Sequence, residues 1–595
     1  MFYYFRYFII FSLFFSIQPY AYADVKHAIS LYGKPKYDKN FTHFDYVNPN
    51  APKKGHLKRL ALRTYNSFNP FIISGNAAAG ISLVYETLMT GSRDELDKST
   101  LYSLIAENVE FPEDYSWVKF NLRANASWHD GNPISSEDVI FSFRTLTEQG
   151  SPFYKSYYKN VSKVEALDKL TVKFHMNIKN NKEMPNILGE LYILPKHHLK
   201  EKDFSKASLD VPLGSGPYRV SRFESGRYII YERVKNYWGK DLPVNKGRYN
   251  FDIIQYDYYR DLTVAREAFK SGQFDIYNEY QAKGWATGFK FDAVKQGKVI
   301  KEEIPISRSP GMQAFVFNTR KTFFQNREVR KAISLVFDFE WLNKNIFYNQ
   351  YKRTTSFFQN TDLASSGIPK GLEFDYLDKY KDILPSEIFD KAFSLPQSDG
   401  SGNIRPQLKM AKKLLSQNGW IIKNNKLVNS KTNEPFKFNI IIIQPSLERV
   451  ILPFTKNLEK LGIICKIQVL DSSQYIERIN NYDFDMIVST IPQSFNPGNE
   501  QRNYWGSNSA KAPGGRNLAG INNPVIDELI EKIIFSQSRE KLVAATKSLD
   551  RVLLWNYYFI PQYHSPNNRI AYWNKFMKPG TKPKFGIDIQ SWWLK

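Results

Sequence analysis

Residues 104–146 read LIAENVEFPEDYSWVKFNLRANASWHDGNPISSEDVIFSFRTL. The second half of this stretch opens a helix on chemical grounds. Ser135 stands where a cap is needed, Ser136-Glu137-Asp138 puts acids into the first turn, and Val139, Phe143 and Leu146 recur at i, i+4 and i+7. The same reading extends outward. Residues 438–444 (FNIIIIQ), 484–490 (FDMIVST) and 313–318 (QAFVFN) are short apolar runs without helical spacing, which predicts buried strands. Between and after them lie helical patterns. Residues 327–337 place Val329, Ile333 and Val336 on one face. Pro406 opens a helix carrying Leu408, Ala411, Leu414 and Leu415, which Gly419 ends. Asn523-Pro524 opens another with Ile526, Leu529, Ile530 and Ile533, and residues 541–555 follow with Leu542, Ala545, Leu549 and Val552. Strand-like and helix-like segments alternate, and no short repeat or Gly/Ser linker divides the chain. The expected class is therefore α/β, in layers.

The 595 residues are 42% hydrophobic and 24% charged, an ordinary balance with ample material for a core. Aromatics are abundant at 15%, enough to build deep cores and to line a pocket for a chemically varied ligand. The beginning of the chain reads as a targeting signal, 1–23. Arg6 is its only charge, residues 7–17 (YFIIFSLFFSI) are apolar, and Ala21 and Ala23 suit a signal peptidase, which predicts a mature end at Asp24. The apolar run falls well short of the ~20 residues a membrane-spanning helix needs. Cys465 is the one cysteine, so no internal disulfide is expected, and none near the cleavage site predicts a lipid anchor. Its apolar surroundings predict a buried strand cysteine. These features point to a free periplasmic protein. The net charge is +23, or +22 once Arg6 is removed (23 − 1). The basic residues are scattered, as in Lys53-Lys54 and Lys412-Lys413, which predicts a diffusely charged surface and no nucleic-acid partner.

Catalytic signatures are absent. The chain has no G-x-S-x-G, H-E-x-x-H or G-x-x-x-x-G-K-[ST] pattern, and Gly214-Ser215-Gly216 before Pro217 reads as a tight turn. His197-His198 is the only histidine cluster; neighbours on a strand would face opposite ways, so no shared metal is expected. Glu302-Glu303 reads as a solvated charged turn. No enzyme activity, cofactor or metal is predicted.

Several segments together resemble one family, the bacterial extracellular solute-binding proteins of family 5, the group of oligopeptide- and dipeptide-binding proteins. The strongest are Trp128-His129-Asp130-Gly131 with Ser136-Glu137-Asp138-Val139, then Gly214-Ser215-Gly216-Pro217-Tyr218, Asn236-Tyr237-Trp238 and Phe317-Asn318-Thr319. Val329-Arg330-Lys331-Ala332-Ile333, Ala411-Lys412-Lys413-Leu414-Leu415 and Asn517-Leu518-Ala519-Gly520 continue in the family's order. Residues 27–57 and Asn499-Glu500-Gln501-Arg502 with Trp505-Gly506-Ser507 resemble its YejA-like branch. The resemblance implies a two-lobed periplasmic-binding-protein fold with an inserted subdomain. On that pattern 24–87, 201–305 and 561–595 form the first lobe, 88–200 the insertion and 306–560 the second lobe. It further implies a monomer that captures short peptides or peptide-like solutes for the permease subunits of an inner-membrane ABC transporter. A glycan, murein-derived or metal-chelate ligand is the alternative.

Most of these motif residues read as structural, with Trp128, His129 and Asp130 shaping a turn. The family pattern places the cleft near Ser74, Gly75 and Asn76 and in the loop after 484–490, giving candidates Trp285, Gln313, Ser494, Phe495, Asn499, Glu500 and Trp505. In oligopeptide-binding relatives that loop carries an Asp for the ligand's ammonium. Here residues 491–500 (IPQSFNPGNE) have none. Either Glu500 takes the role, or the ligand has no free ammonium there.

Overall fold

The computed structural model describes residues 24–95, 97 and 99–595; the predicted signal segment lies outside the described residues. Two large sheets dominate. The first has seven strands in the order Val299–Pro305, Asn567–Trp573, Ile276–Asn278, His56–Leu62, Ile253–Tyr259, Tyr228–Arg233 and Tyr218–Glu224. The second has five, in the order Ile464–Val469, Lys437–Ile442, Met486–Ile491, Met312–Phe317 and Phe559–Pro561. A four-stranded antiparallel sheet, Ala106–Glu110, Trp117–Leu122, Thr171–Met176 and Val161–Ala166, forms an additional body.

The five-stranded sheet explains its own sequence. Along Met312–Phe317, Met312, Ala314 and Val316 join one core, while Phe315 and Phe317 join another. Ile441 and Ile487 face the first core, and Ile440, Ile442 and Met486 face the second. Side chains alternate across a strand, so a sheet covered on both faces needs apolar residues at every position. The first core is closed by helices Pro524–Ile534 and Arg539–Trp555, the second by Arg327–Ser334, Arg405–Gln417 and Glu448–Glu459. The predicted helices all form. Asn523 caps the Val525 N–H, and Gly419 stands at φ 81° just past the end of Arg405–Gln417. Cys465 lies on the edge strand Ile464–Val469, where burial pushes its thiol pKa up.

In the four-stranded body, helix Ser136–Gln149 is closed by a reciprocal capping box between Ser135 and Asp138, and Val139 and Leu146 pack on Val118, Phe120, Val172 and Phe174. The recurrent motif residues hold this body to the first sheet. His129 Nε2 lies 2.8 Å from the Gly216 carbonyl, and Trp238 Nε1 donates to the Ser215 carbonyl and to Glu86 Oε2, both at 3.1 Å. A Cβ on Gly214 would sit 2.0 Å from the Val84 carbonyl oxygen, so only glycine allows this approach. Two local expectations are corrected. His197 and His198 lie in a short helix, Lys196–Leu199, with His197 Nε2 2.8 Å from Asp130 Oδ2. Glu302 and Glu303 lie on the strand Val299–Pro305, where Glu302 pairs with Lys578 at 2.6 Å and Glu303 accepts from Trp285 Nε1 at 2.6 Å. Among the described residues no helix is long and apolar enough to cross a membrane.

Helix Arg539–Trp555 also carries charge into the core. Arg551, 1% exposed, donates to Glu373 Oε1 at 2.8 Å and to the Gly367 and Ser366 carbonyls at 2.7 and 3.0 Å. Removing one member of such a set leaves the other's charge buried without a counterpart. Arg551→Met is expected to destabilise the protein by about 3–5 kcal/mol, and a second change, Glu373→Gln, to recover part of it. Denaturant unfolding of both variants measures this; an additive loss would show that the two side chains do not act as a pair.

Candidate functional site

Two short segments join the sheets. The chain leaves the first sheet after Pro305 and enters the second at Met312; it returns through residues 562–566 to Asn567. The segments run side by side. Pro305 pairs with Asn567 in register, the Ile306 N–H donates to the Pro566 carbonyl at 2.9 Å, and the Gln562 N–H donates to the Gln313 carbonyl at 2.8 Å. The two glutamine side chains also meet, Gln313 Nε2 donating to Gln562 Oε1 at 2.7 Å. Gly311, at φ 75°, lies where a Cβ would approach the Ile491 carbonyl oxygen to 2.7 Å, so the turn into the second sheet requires glycine. His564 Nδ1 lies 2.9 Å from Thr354 Oγ1, and burial, with Lys352 adding repulsion, lowers its pKa to about 4. His564 is therefore neutral at neutral pH, and Arg308 is the charged side chain of the junction.

Beside this junction a cavity of about 970 Å³ opens between the sheets. Its walls come from residues 278–282 and 567–569 of the first sheet, the junction itself, Tyr351 and Tyr563, the start of helix Glu448–Glu459, and Thr490, Pro492 and Gln493 of the second sheet. Such a volume suits a ligand of several residues or several rings. Its floor is charged. Arg569 is 5% exposed, stacks 5.2 Å from the Tyr351 ring centroid and donates to the Gln350 carbonyl at 3.2 Å. Glu279, 3% exposed, is already engaged: Arg266 donates to its Oε2 from Nε at 2.9 Å and NH2 at 2.7 Å, and the Gln281 N–H donates to its Oε1 at 2.8 Å. Burial raises the Glu279 pKa and Arg266 opposes the shift.

Of the residues singled out in the sequence, Gln313 lines this cavity. Phe495 reaches its edge, its ring 5.6 Å from that of Phe585, which does line it. The others sit elsewhere. Trp505 is 1% exposed among Phe357 and Phe559, and its Nε1 donates to Gln501 Oε1 at 2.7 Å. Trp285 packs in a separate core beside Phe289. Ser74, Gly75 and Asn76 form an exposed turn in which the Asn76 N–H donates to Asn66 Oδ1 at 2.6 Å. Ser494, Asn499 and Glu500 belong to a second contact between the two halves, made by the loop after Met486–Ile491 against the four-stranded body. There the Asn499 N–H and Nδ2 donate to Glu183 Oε2 at 2.7 and 2.6 Å, and Asn499 Nδ2 also donates to Asn181 Oδ1 at 3.4 Å. Glu500 folds back on its own loop, accepting from the Gly498 N–H and from Gln501 Nε2, both at 2.9 Å, with Ser494 Oγ at 3.5 Å. Arg502 pairs with Glu531 rather than with Glu500.

The cavity residues missed in the sequence, Arg308, Tyr351, Arg449, Tyr563 and Arg569, come from segments of no shared pattern. The one local signal was Ser307-Arg308-Ser309-Pro310-Gly311, a polar turn run between two strand patterns.

The family model for "Bacterial extracellular solute-binding proteins, family 5 Middle" matches residues 100–513. Protein y4wM of Sinorhizobium fredii is 45% identical over 579 residues, 96% of this chain and 87% of the relative. The "probable peptide-binding protein YejA" of Agrobacterium fabrum is 42% identical over 96% of this chain and 94% of its own. Among solved structures, the oligopeptide-binding protein AppA of Bacillus subtilis, in complex with a nonapeptide, superposes with a TM-score of 0.72 at 20% identity, covering 92% of this chain and all (100%) of AppA. The two-lobed fold is thereby shown.

The second contact carries a pH signature. Burial raises the Glu183 pKa to about 8, with the Glu500 charge adding to it. A carboxyl whose folded pKa lies above its unfolded value stabilises the fold fully below the unfolded pKa and loses that contribution as pH rises through the folded one. Stability should therefore fall between about pH 4.5 and 8. Glu183→Gln, which keeps an acceptor for Asn499, is expected to raise the melting temperature at pH 8 and to leave it unchanged near pH 4.5. An unaltered pH slope in thermal unfolding would show that Glu183 stays charged and solvated.

Proposed function

The chain belongs to the bacterial extracellular solute-binding proteins of family 5, and on that premise we propose that it captures short peptides or peptide-like solutes between its lobes and presents them to an ABC transporter. The observation that carries this reading is the 970 Å³ cavity placed at the junction of the two sheets. In this reading residues 24–87, 201–305 and 561–595 form one lobe around the seven-stranded sheet, 306–560 the other, and 88–200 an insertion that braces them. The protein acts as a carrier, without catalysis or a cofactor. It is exported by cleavage before Asp24, not lipidated, and works as a monomer in the periplasm.

The physical logic is that of a clamp. A peptide's main chain offers the same donors and acceptors whatever its sequence, so backbone pairing along the cleft gives affinity without selecting side chains. Water in a roomy cavity accommodates different side chains at small cost. Closure follows because the ligand touches both walls only in the closed state, and only differential affinity shifts an equilibrium. Gln313 and Tyr563 stand at the centre of this arrangement, on the junction and on the cavity wall at once. Glu500, in this account, holds its loop and touches no ligand.

Calorimetry with the peptide recovered from the purified protein tests the assignment. Tyr563→Ala is expected to weaken binding by about 2 kcal/mol or more, because it empties an aromatic wall. Glu500→Gln is expected to leave affinity within about threefold, under 1 kcal/mol. The reverse ranking would move the site from the cavity to the second contact, and recovery of a glycan or a metal chelate from the native protein would replace the peptide reading.

A further inference from the structure

The cavity is lopsided in charge. Four arginines line it, Arg93, Arg308, Arg449 and Arg569, against one carboxylate, Glu279. That carboxylate is already bonded to Arg266 and to the Gln281 N–H. An ammonium entering the cavity therefore finds one carboxylate on its walls, and the charge of that carboxylate is already met by Arg266. Arg93 pairs with Asp588 at 3.7 Å; the other three form no ion pair among the described residues. Arg308, on the junction, and Arg449, in the first turn of Glu448–Glu459, make no ion pair or hydrogen bond among the described residues. Arg569 is the built element. Its side chain is buried, yet its Nε–H has no partner. Gln493, also on the wall, has a buried Nε2 without an acceptor. A buried donor left unmade is costly, and more so on a charged group. Arg308 and Arg449 are exposed donors open to an incoming carboxylate; Arg569 Nε and Gln493 Nε2 are unmet donors buried behind the wall, with Gln350 Oε1 an unmet acceptor beside Arg569. Guanidinium binds a carboxylate through two parallel hydrogen bonds, a geometry an ammonium group cannot offer.

We propose that the cleft selects peptides or peptide-like fragments carrying more carboxylates than amines, with Arg569 as the buried anchor and Arg308 and Arg449 closing on further carboxylates from the junction and from the second lobe. This rests on the carrier reading above and narrows it to an acidic ligand class. It also accounts for the loop 491–500, which has no Asp to offer an ammonium because the preferred ligand does not present one there. Arg569 belongs to the first lobe and Arg308 and Arg449 to the span of the second, so a ligand whose carboxylates touch both sides favours closure.

The test is capture from a defined mixture. Ligand-free protein is incubated with a synthetic mixture of tri- to hexapeptides of balanced charge, and the bound fraction is identified by mass spectrometry. The bound peptides are expected to be more acidic than the input by roughly one charge unit or more, and 0.5 M salt, taken as an order-of-magnitude screening condition, to reduce the bias. Arg449→Gln and Arg308→Gln, both at exposed positions, are expected to lower the acidic bias by about half or more at an unchanged melting temperature. A bound fraction as basic as the input, or more so, would overturn the acidic preference while leaving the carrier reading standing. No bound peptide at all would overturn both.

Discussion

The two antiparallel segments that join the sheets are the constraint on which the rest depends. The outward segment is irregular chain, and the return carries the short strand Tyr563–His564, which also pairs with Lys352–Arg353. Together, through the Ile306 to Pro566 and Gln562 to Gln313 hydrogen bonds, they form a ribbon two strands wide. A ribbon resists twisting and shear but permits bending, so it allows the sheets to approach and separate along one path. The cavity lies against this ribbon, where bending changes wall-to-wall distance least and where a ligand can touch both halves. The buried His564 is neutral at neutral pH, and Gly311 sets the angle at which the second sheet departs.

The second contact sets what the ribbon leaves free. The loop 491–502 meets the four-stranded body through Asn499, Glu183 and Asn181, with Asn496 adding a bond to Ser99 Oγ at 3.3 Å. The half-buried Glu183 carboxyl, paired with no cation among the described residues, makes this contact conditional: it is strongest when that group is protonated and weakens as it ionises. A contact of moderate strength suits a clamp that must release its ligand, whereas an apolar seal of the kind that buries Trp505 would hold it shut.

Much of the fold was legible in the sequence because it is written locally. Caps such as Ser135 and Asn523, glycines such as Gly419 and the unbroken apolar run of 438–444 each obey a rule that involves only a few neighbours. The alternation of Phe315 and Phe317 with Ala314 and Val316 shows why that run is unbroken: both faces of the sheet are covered. The site was less legible, because the cavity gathers Arg569, Arg449, Tyr351 and Gln493 from segments far apart in the chain. Trp505 and Trp285 share with true wall residues an aromatic ring near a turn, and only their place in the fold, each packed in a core away from the cavity, separates them. Glu500 was singled out for its charge, but its partners are the Gly498 N–H and Gln501, two and one residues away, an arrangement that loop conformation decides. His197-His198 shows the same limit, since the pair lies in a short helix rather than on a strand.

The central claim is that the sheets close about the ribbon when a ligand fills the cavity. Spin labels at Val264 on the first lobe and Leu452 on the second, both exposed, report the distance between them once Cys465 is replaced by serine. Pulsed electron paramagnetic resonance should give a broad distribution for the ligand-free protein, and a shorter, narrower one at saturation with the peptide it binds. An identical distribution with and without peptide, at a concentration where calorimetry shows full occupancy, would contradict the clamp.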